Sequence, residues 1–212
     1  MARVKVCGIT NLEDALAALE AGAEMLGFNF YARSPRCVSP DEARRVVERL
    51  PEGVECVGVF VNEAAPGEVE RVAREACVGA VQLHGDETPE FCRALRGLTT
   101  IKALRVGPDF TTEAAAAFHT DAVLLDAYVA GEWGGTGHTF DWALARRTRE
   151  AVPRLFLAGG LRPDNVAEAV AAVRPFAVDV CSGVETSPGR KSLQLMRRFV
   201  ERVRGVDIDS SQ

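Results

Sequence analysis

Eight short apolar, β-branched runs alternate with eight alanine-rich amphipathic stretches along the 212 residues. That rhythm predicts an α/β protein, a single-domain (β/α)8 TIM barrel near the compact limit of the fold. A second observation concerns the first strand-to-helix turn, Cys7-Gly8-Ile9-Thr10-Asn11. It lacks the G-x-G-x-x-G fingerprint expected of the alternative architecture, an open doubly wound sheet. A third is that glycine-bearing turns follow the seventh and eighth runs, where barrels place their phosphate-binding loops.

The first strand is expected at 3–7, where Val4 and Val6 share one face and Lys5 and Cys7 the other. A helix near 11–21 follows, capped by Asn11 with Asp14, and a second strand at 25–30. Ser39-Pro40-Asp41-Glu42 reads as a capping box with proline at the first helical position, opening a helix near 40–50. The strand at 54–61 leads to a helix near 65–76, and the strand at 79–83 to one near 87–96 that starts at Thr88-Pro89. The pattern continues with strands at 99–104, 121–125, 154–158 and 176–181, and helices near 111–119, 140–151, 163–173 and 192–204. No Pro/Gly/Ser-rich linker interrupts it. Residues 1–205 are therefore expected to form one catalytic barrel domain, with 206–212 a frayed tail.

Composition narrows the function classes. The chain is 47% hydrophobic and 26% charged, with net charge −5 and pI about 5.4, so it carries no basic footprint for nucleic acid. Six cysteines at 7, 37, 56, 77, 92 and 181 form no C-x-x-C pair and read as reduced thiols, not as a disulfide or zinc framework. The N-terminus enters a strand within three residues, leaving no room for a signal peptide, and no run is long enough for a membrane helix. A soluble, cytoplasmic protein is expected.

The apolar face of the first strand should meet the helices, which turns Lys5 and Cys7 into the barrel at its C-terminal, functional rim. Cys7 is then either a small interior filler or a reactive thiol. A free thiol of pKa about 8.5 is only about 3% thiolate at neutral pH, and Lys5 can supply part of a downward shift. Asp126 ends the apolar strand Ala122–Leu125 at the same rim. It is either a cap for the next loop or a carboxyl whose apolar surroundings raise its pKa, so that it serves as an acid. Arg36, in the loop after the second strand, is a solvated residue or a two-pronged clamp for a substrate carboxylate. His84 and Gln82 face inward if Val81 and Leu83 face the helices; a structural histidine and a substrate contact both remain open. Gly159 and Gly160, with Ser182 and Gly183, form the expected phosphate cradle of backbone N–H groups. The glycine-rich Gly134-Gly135-Thr136-Gly137 stands where a loop can close over a ligand. Asp179 should point inward on the eighth strand, beside Lys5 of the first.

The motifs occur in a telling order. They run from Lys5-Val6-Cys7-Gly8-Ile9-Thr10 through Gly27-Phe28-Asn29-Phe30, Ser34-Pro35-Arg36-Cys37-Val38-Ser39 and Val57-Gly58-Val59-Phe60-Val61-Asn62. Val81-Gln82-Leu83-His84-Gly85-Asp86, Leu124-Leu125-Asp126, the 134–137 glycines and Phe140-Asp141-Trp142 come next. Leu157-Ala158-Gly159-Gly160-Leu161, Asp179-Val180-Cys181-Ser182-Gly183-Val184-Glu185 and Pro188-Gly189-Arg190-Lys191 complete the set. Over essentially its whole length the chain resembles the phosphoribosylanthranilate isomerase family of tryptophan biosynthesis.

The resemblance implies that Cys7 is a general base, Asp126 a general acid and Arg36 the holder of the anthranilate carboxylate. It places the phosphate at Gly159-Gly160 and Ser182-Gly183, and it implies an Amadori rearrangement with no cofactor and no metal. The partner is the small-molecule substrate; no nucleic acid or membrane is involved, and monomer and homodimer both remain open. Cys37 stands where the family commonly has tyrosine, and Cys181 where it commonly has serine. Cys181 is expected to alter at most a contact near the phosphate, and neither cysteine to touch the acid–base pair. A related isomerase of histidine biosynthesis carries aspartate in place of Cys7. An indole-glycerol-phosphate synthase needs lysine and glutamate catalysts whose surrounding motifs are missing here. A binding-only barrel would be expected to have lost Cys7 or Asp126.

Overall fold

Alternation along the strands decides what enters the barrel. Val4 and Val6 are buried against the helical layer, whereas Lys5 between them is fully buried inside the ring of strands. The computed structural model describes residues 1–107, 109–126 and 142–206. The glycine-rich Gly134-Gly135-Thr136-Gly137, Phe140 and Asp141, and the tail at 207–212 lie outside the described residues.

Strands β1 (Arg3–Cys7), β2 (Met25–Asn29), β3 (Glu55–Phe60), β4 (Ala80–Leu83), β5 (Thr99–Arg105), β6 (Ala122–Asp126), β7 (Leu155–Ala158) and β8 (Ala177–Val180) pair in sequence order, all parallel. β8 pairs back onto β1, closing the ring with Lys5 opposite Asp179. Helices α1 (Leu12–Ala21), α2 (Pro40–Val47), α3 (Pro66–Glu75), α4 (Pro89–Ala94), α5 (Thr112–Ala116), α6 (Trp142–Ala151), α7 (Val166–Val173) and α8 (Leu193–Arg204) follow the strands in turn. The chain is thus a (β/α)8 TIM barrel.

Local chemistry sets the helix starts. Asn11 accepts from the Asp14 N–H, and Ser39 with Glu42 makes the full capping box ahead of Pro40. Thr88 caps α4 through the Phe91 N–H. α1 ends at Gly22, whose φ of 100° is the left-handed geometry that glycine tolerates. α5 is shorter than the 111–119 stretch predicts, because the chain leaves the helix and His119 turns to a positive φ of 51°.

The core has two layers. Between strands and helices lie Val4, Val6, Phe28, Phe60, Leu83, Leu125, Leu157 and Phe199 among others. Inside the barrel, Met25, Val57, Ile101, Leu124 and Phe156 fill the lower part. Lys5, Gln82 and Asp179 form a buried polar patch within the ring.

One feature was not expected from the sequence. After β8 the chain makes a 3-10 turn, Ser182–Val184, and then a short hairpin of β9 (Glu185–Ser187) and β10 (Arg190–Lys191). The hairpin sets Lys191 opposite Glu185 and is tied to the first βα loop, where Thr10 donates to the Gly189 carbonyl at 2.7 Å.

Candidate active site

β1 delivers Cys7 to the C-terminal rim of the barrel, 8% exposed. Its register partner on β2 is Gly27, and the absence of a side chain there makes room for the thiol. A Cβ at Gly27 would stand 2.8 Å from Cys7 Sγ and 3.1 Å from Lys5 Nζ. The Lys5 ammonium donates to Asp179 Oδ1 at 2.9 Å, to Gln82 Oε1 at 3.0 Å and to Cys7. Burial pushes Lys5 down, but Asp179 and Cys7 outweigh it and hold the ammonium above the ordinary lysine range. Burial pushes the Asp179 carboxyl up to about 6, against the pull of Lys5.

The Cys7 thiol is held well below its ordinary value. The main cause is a hydrogen bond from the Cys181 thiol; burial opposes it, and Lys5 and Lys191 add to it. The proton stays on Cys181, whose own pKa is pushed up by Cys7. This corrects the expectation that Cys181 does not touch Cys7. Strand register explains the contact: Val180 pairs with Val6, so the next residue of each chain segment meets at the rim. The alternation that places Asp179 beside Lys5 carries the same signal two residues on.

Asp126 ends β6 at the same rim, and His84 Nε2 lies 3.2 Å from its Oδ2. The other nitrogen of His84, Nδ1, is 2.9 Å from Gln82 Nε2. Gln82 and His84 therefore do point inward, while Val81 and Leu83 pack in the outer layer.

Arg36 grips a carboxylate, and that carboxylate is internal. Its Nε and Nη2 donate to the two oxygens of Glu185 at 2.8 and 2.6 Å. Glu185 also accepts from Lys191 Nζ at 2.8 Å. Burial would raise Glu185, but Arg36 and Lys191 hold its carboxyl below the usual range. No local pattern in the sequence gives Glu185 or Lys191 a part in the site. Arg36 and Glu185 stand 149 positions apart, and the hairpin that joins them is too short to announce itself.

The two glycine turns converge. Gly159 and Gly160 have φ of 86° and 63°, and Gly183 packs so tightly that a Cβ would stand 2.0 Å from the Leu161 carbonyl oxygen. Asn165 braces the first turn, donating to the Gly160 carbonyl and accepting from the Arg162 N–H.

A parallel eight-stranded barrel that gathers a low-pKa thiol, a carboxylate, an imidazole and paired glycine turns at its C-terminal rim is, in class, a (β/α)8 enzyme for a small substrate. The family described as N-(5'-phosphoribosyl)anthranilate isomerase matches residues 4–202. The isomerase of that name from Trichlorobacter lovleyi is 51% identical over 200 residues, 94% of this chain and 97% of the relative. The crystal structure of phosphoribosyl anthranilate isomerase from Thermotoga maritima superposes with a TM-score of 0.90 at 47% identity, covering 97% of this chain and all of that one. A second structure of the enzyme, in complex with reduced 1-(o-carboxyphenylamino)-1-deoxyribulose 5-phosphate, gives a TM-score of 0.87 at 45% identity over the same shares. The chain belongs to the N-(5'-phosphoribosyl)anthranilate isomerase family, and the isomerase step of tryptophan biosynthesis is its function.

Proposed function

We propose that Cys7 is the general base and Asp126 the general acid of this isomerisation, with residues 1–205 as the catalytic domain. The observation that carries the assignment is the placement of Cys7 at the end of β1 on the rim where β6 presents Asp126, with Cys181 and two lysines lowering the pKa of its thiol. Asp126 gives a proton to the ring oxygen of the phosphoribosyl group, and the C1–O bond breaks to leave a Schiff base to the anthranilate nitrogen. The Cys7 thiolate then takes the C2' proton, and the electron pair moves to form the enolamine. Tautomerisation delivers the ketose, 1-(2-carboxyphenylamino)-1-deoxyribulose 5-phosphate. Oxidation at C2' balances reduction at C1', so the step is internal.

The glycine turns at Gly159, Gly160, Ser182 and Gly183 serve the phosphate through backbone N–H groups. Arg36 meets the anthranilate carboxylate with its end-on edge, since Glu185 occupies the Nε side. Asp179 and His84 complete the substrate's surroundings from β8 and the end of β4. We place the enzyme in the cytoplasm, which suits its free cysteines. Among the described residues no helix is long and apolar enough to cross a membrane.

Following the loss of substrate fluorescence tests the pair. Cys7→Ser and Asp126→Asn should each lower kcat by at least about 10²-fold, with folding intact by circular dichroism. Full activity in either variant removes that residue from its role.

A further inference from the structure

We infer that Lys5, acting through Gln82, fixes the tautomer of His84 and thereby sets which oxygen of Asp126 carries the transferable proton. An ammonium has three donors and no acceptor, so whichever end of Gln82 faces Lys5 must be its oxygen. The amide nitrogen then has to face His84, where it donates to Nδ1 at 2.9 Å. Nδ1 is a lone pair for that reason, and the imidazole proton sits on Nε2, 3.2 Å from Asp126 Oδ2. Lys5 thus decides the orientation of the Gln82 amide, and the amide decides the tautomer of His84.

The consequence reaches the chemistry. When Asp126 is protonated, its carbonyl oxygen is the better acceptor for the Nε2–H, so Oδ2 stays unprotonated and the proton rests on Oδ1. The three donors of Lys5 are spent on Asp179, on the thiol of the base, and on the relay to the acid. One buried ammonium thus orders both ends of the acid–base pair. Gln82 touches no reacting atom in this scheme and is a positioning residue; Lys5 reaches the acid only through it. The inference rests on Asp126 as the acid, a reading that Asp126→Asn tests separately.

Protein labelled with ¹⁵N-histidine, in mildly alkaline buffer, reports the tautomer directly by NMR, with the His119 and His138 signals assigned through His119→Gln and His138→Gln. The expected result is a protonated Nε2 and an unprotonated Nδ1 on His84 in the otherwise native enzyme. In Gln82→Met the constraint is lost: both tautomers appear, and kcat falls on the order of 10–100-fold while KM changes little. The pH profile of Cys7 alkylation stays where it was, since Lys5 keeps Asp179 and Cys7. A proton on Nδ1 in the native enzyme overturns the inference, whatever the variant does. So does an unchanged kcat in Gln82→Met, or a loss of kcat accompanied by a shifted Cys7 profile, which would place the damage at the base.

Discussion

At the scale of single residues, the proposed base Cys7 has its pKa lowered by a neighbour that the sequence presents as an incidental departure. The Cys181 thiol is the largest influence holding Cys7 down, ahead of Lys5 and Lys191. Removing it in Cys181→Ala takes away the donor while leaving both cations. Thiolate fraction grows as pH climbs past the pKa, so a higher pKa moves alkylation to higher pH. The rate of Cys7 carbamidomethylation, read by peptide mass spectrometry, should rise with pH well below the ordinary thiol range in the native enzyme and at clearly higher pH in Cys181→Ala. Cys181→Ser, which restores a donor at least as strong as the thiol, should stay near the native profile. Exposed Cys37, whose thiol burial and Glu42 push up, provides the internal reference. Identical profiles for native enzyme and Cys181→Ala would leave Lys5 and Lys191 as the whole cause. The inward faces of Lys5, Gln82 and Asp179 were legible from strand alternation alone. The Cys7–Cys181 contact was present in that same alternation, but reading it requires a register for β8 on β1 as well as a face.

At the scale of elements, the phosphate cradle we propose depends on two turns from neighbouring βα units fitting without a gap. Gly183 is the point of closest approach: a methyl there would collide with the Leu161 carbonyl at 2.0 Å, and a backbone atom cannot swing away. Gly183→Ala should part the turns, raising KM for the phosphorylated substrate and costing about 1–3 kcal/mol of stability in thermal unfolding. Gly67→Ala offers the contrast. It sits in the first turn of α3 with open space around its Cβ, and should be neutral or stabilise by up to about 1 kcal/mol. Equal effects in the two variants would mean that the turns are not in contact. The eight strands and eight helices were legible because each is long enough to show its period, and because caps such as Ser39 with Glu42 mark the starts. β9 and β10, three and two residues long, show no period at all. Their role depends on docking against Thr10 and Arg36 from distant parts of the chain, which no local pattern encodes.

At the scale of the whole molecule, buried ion pairs join parts of the barrel that packing alone would leave free to slide. Lys5 and Asp179, 174 positions apart, lock the first strand of the barrel to the eighth. Lys102 on β5 and Glu87 before α4 do the same on the other side, with side chains 1% and 2% exposed. Glu87 also accepts from the Asn62 and Gly85 N–H groups, so one carboxylate ties the end of β3 to the loop beside His84. Lys102 in turn donates to the Gly85 carbonyl at 2.6 Å. Removing the lysine strands a charge that has no water to turn to, and Lys102→Met should therefore cost about 3–5 kcal/mol in urea unfolding. Neutralising the partner as well removes the stranded charge, so Lys102→Met with Glu87→Gln should be more stable than Lys102→Met alone. A surface pair gives the scale for comparison. Arg71 bridges Glu68 and Glu75 with every side chain about half exposed, and Glu75→Gln should change stability by less than about 1 kcal/mol. Because Gly85 adjoins His84, kcat should fall in Lys102→Met and recover in part in the double variant, linking the barrel's internal salt bridges to the rim where the proton moves. A Lys102→Met enzyme as stable as the native one would show that Glu87 is satisfied by its backbone donors alone.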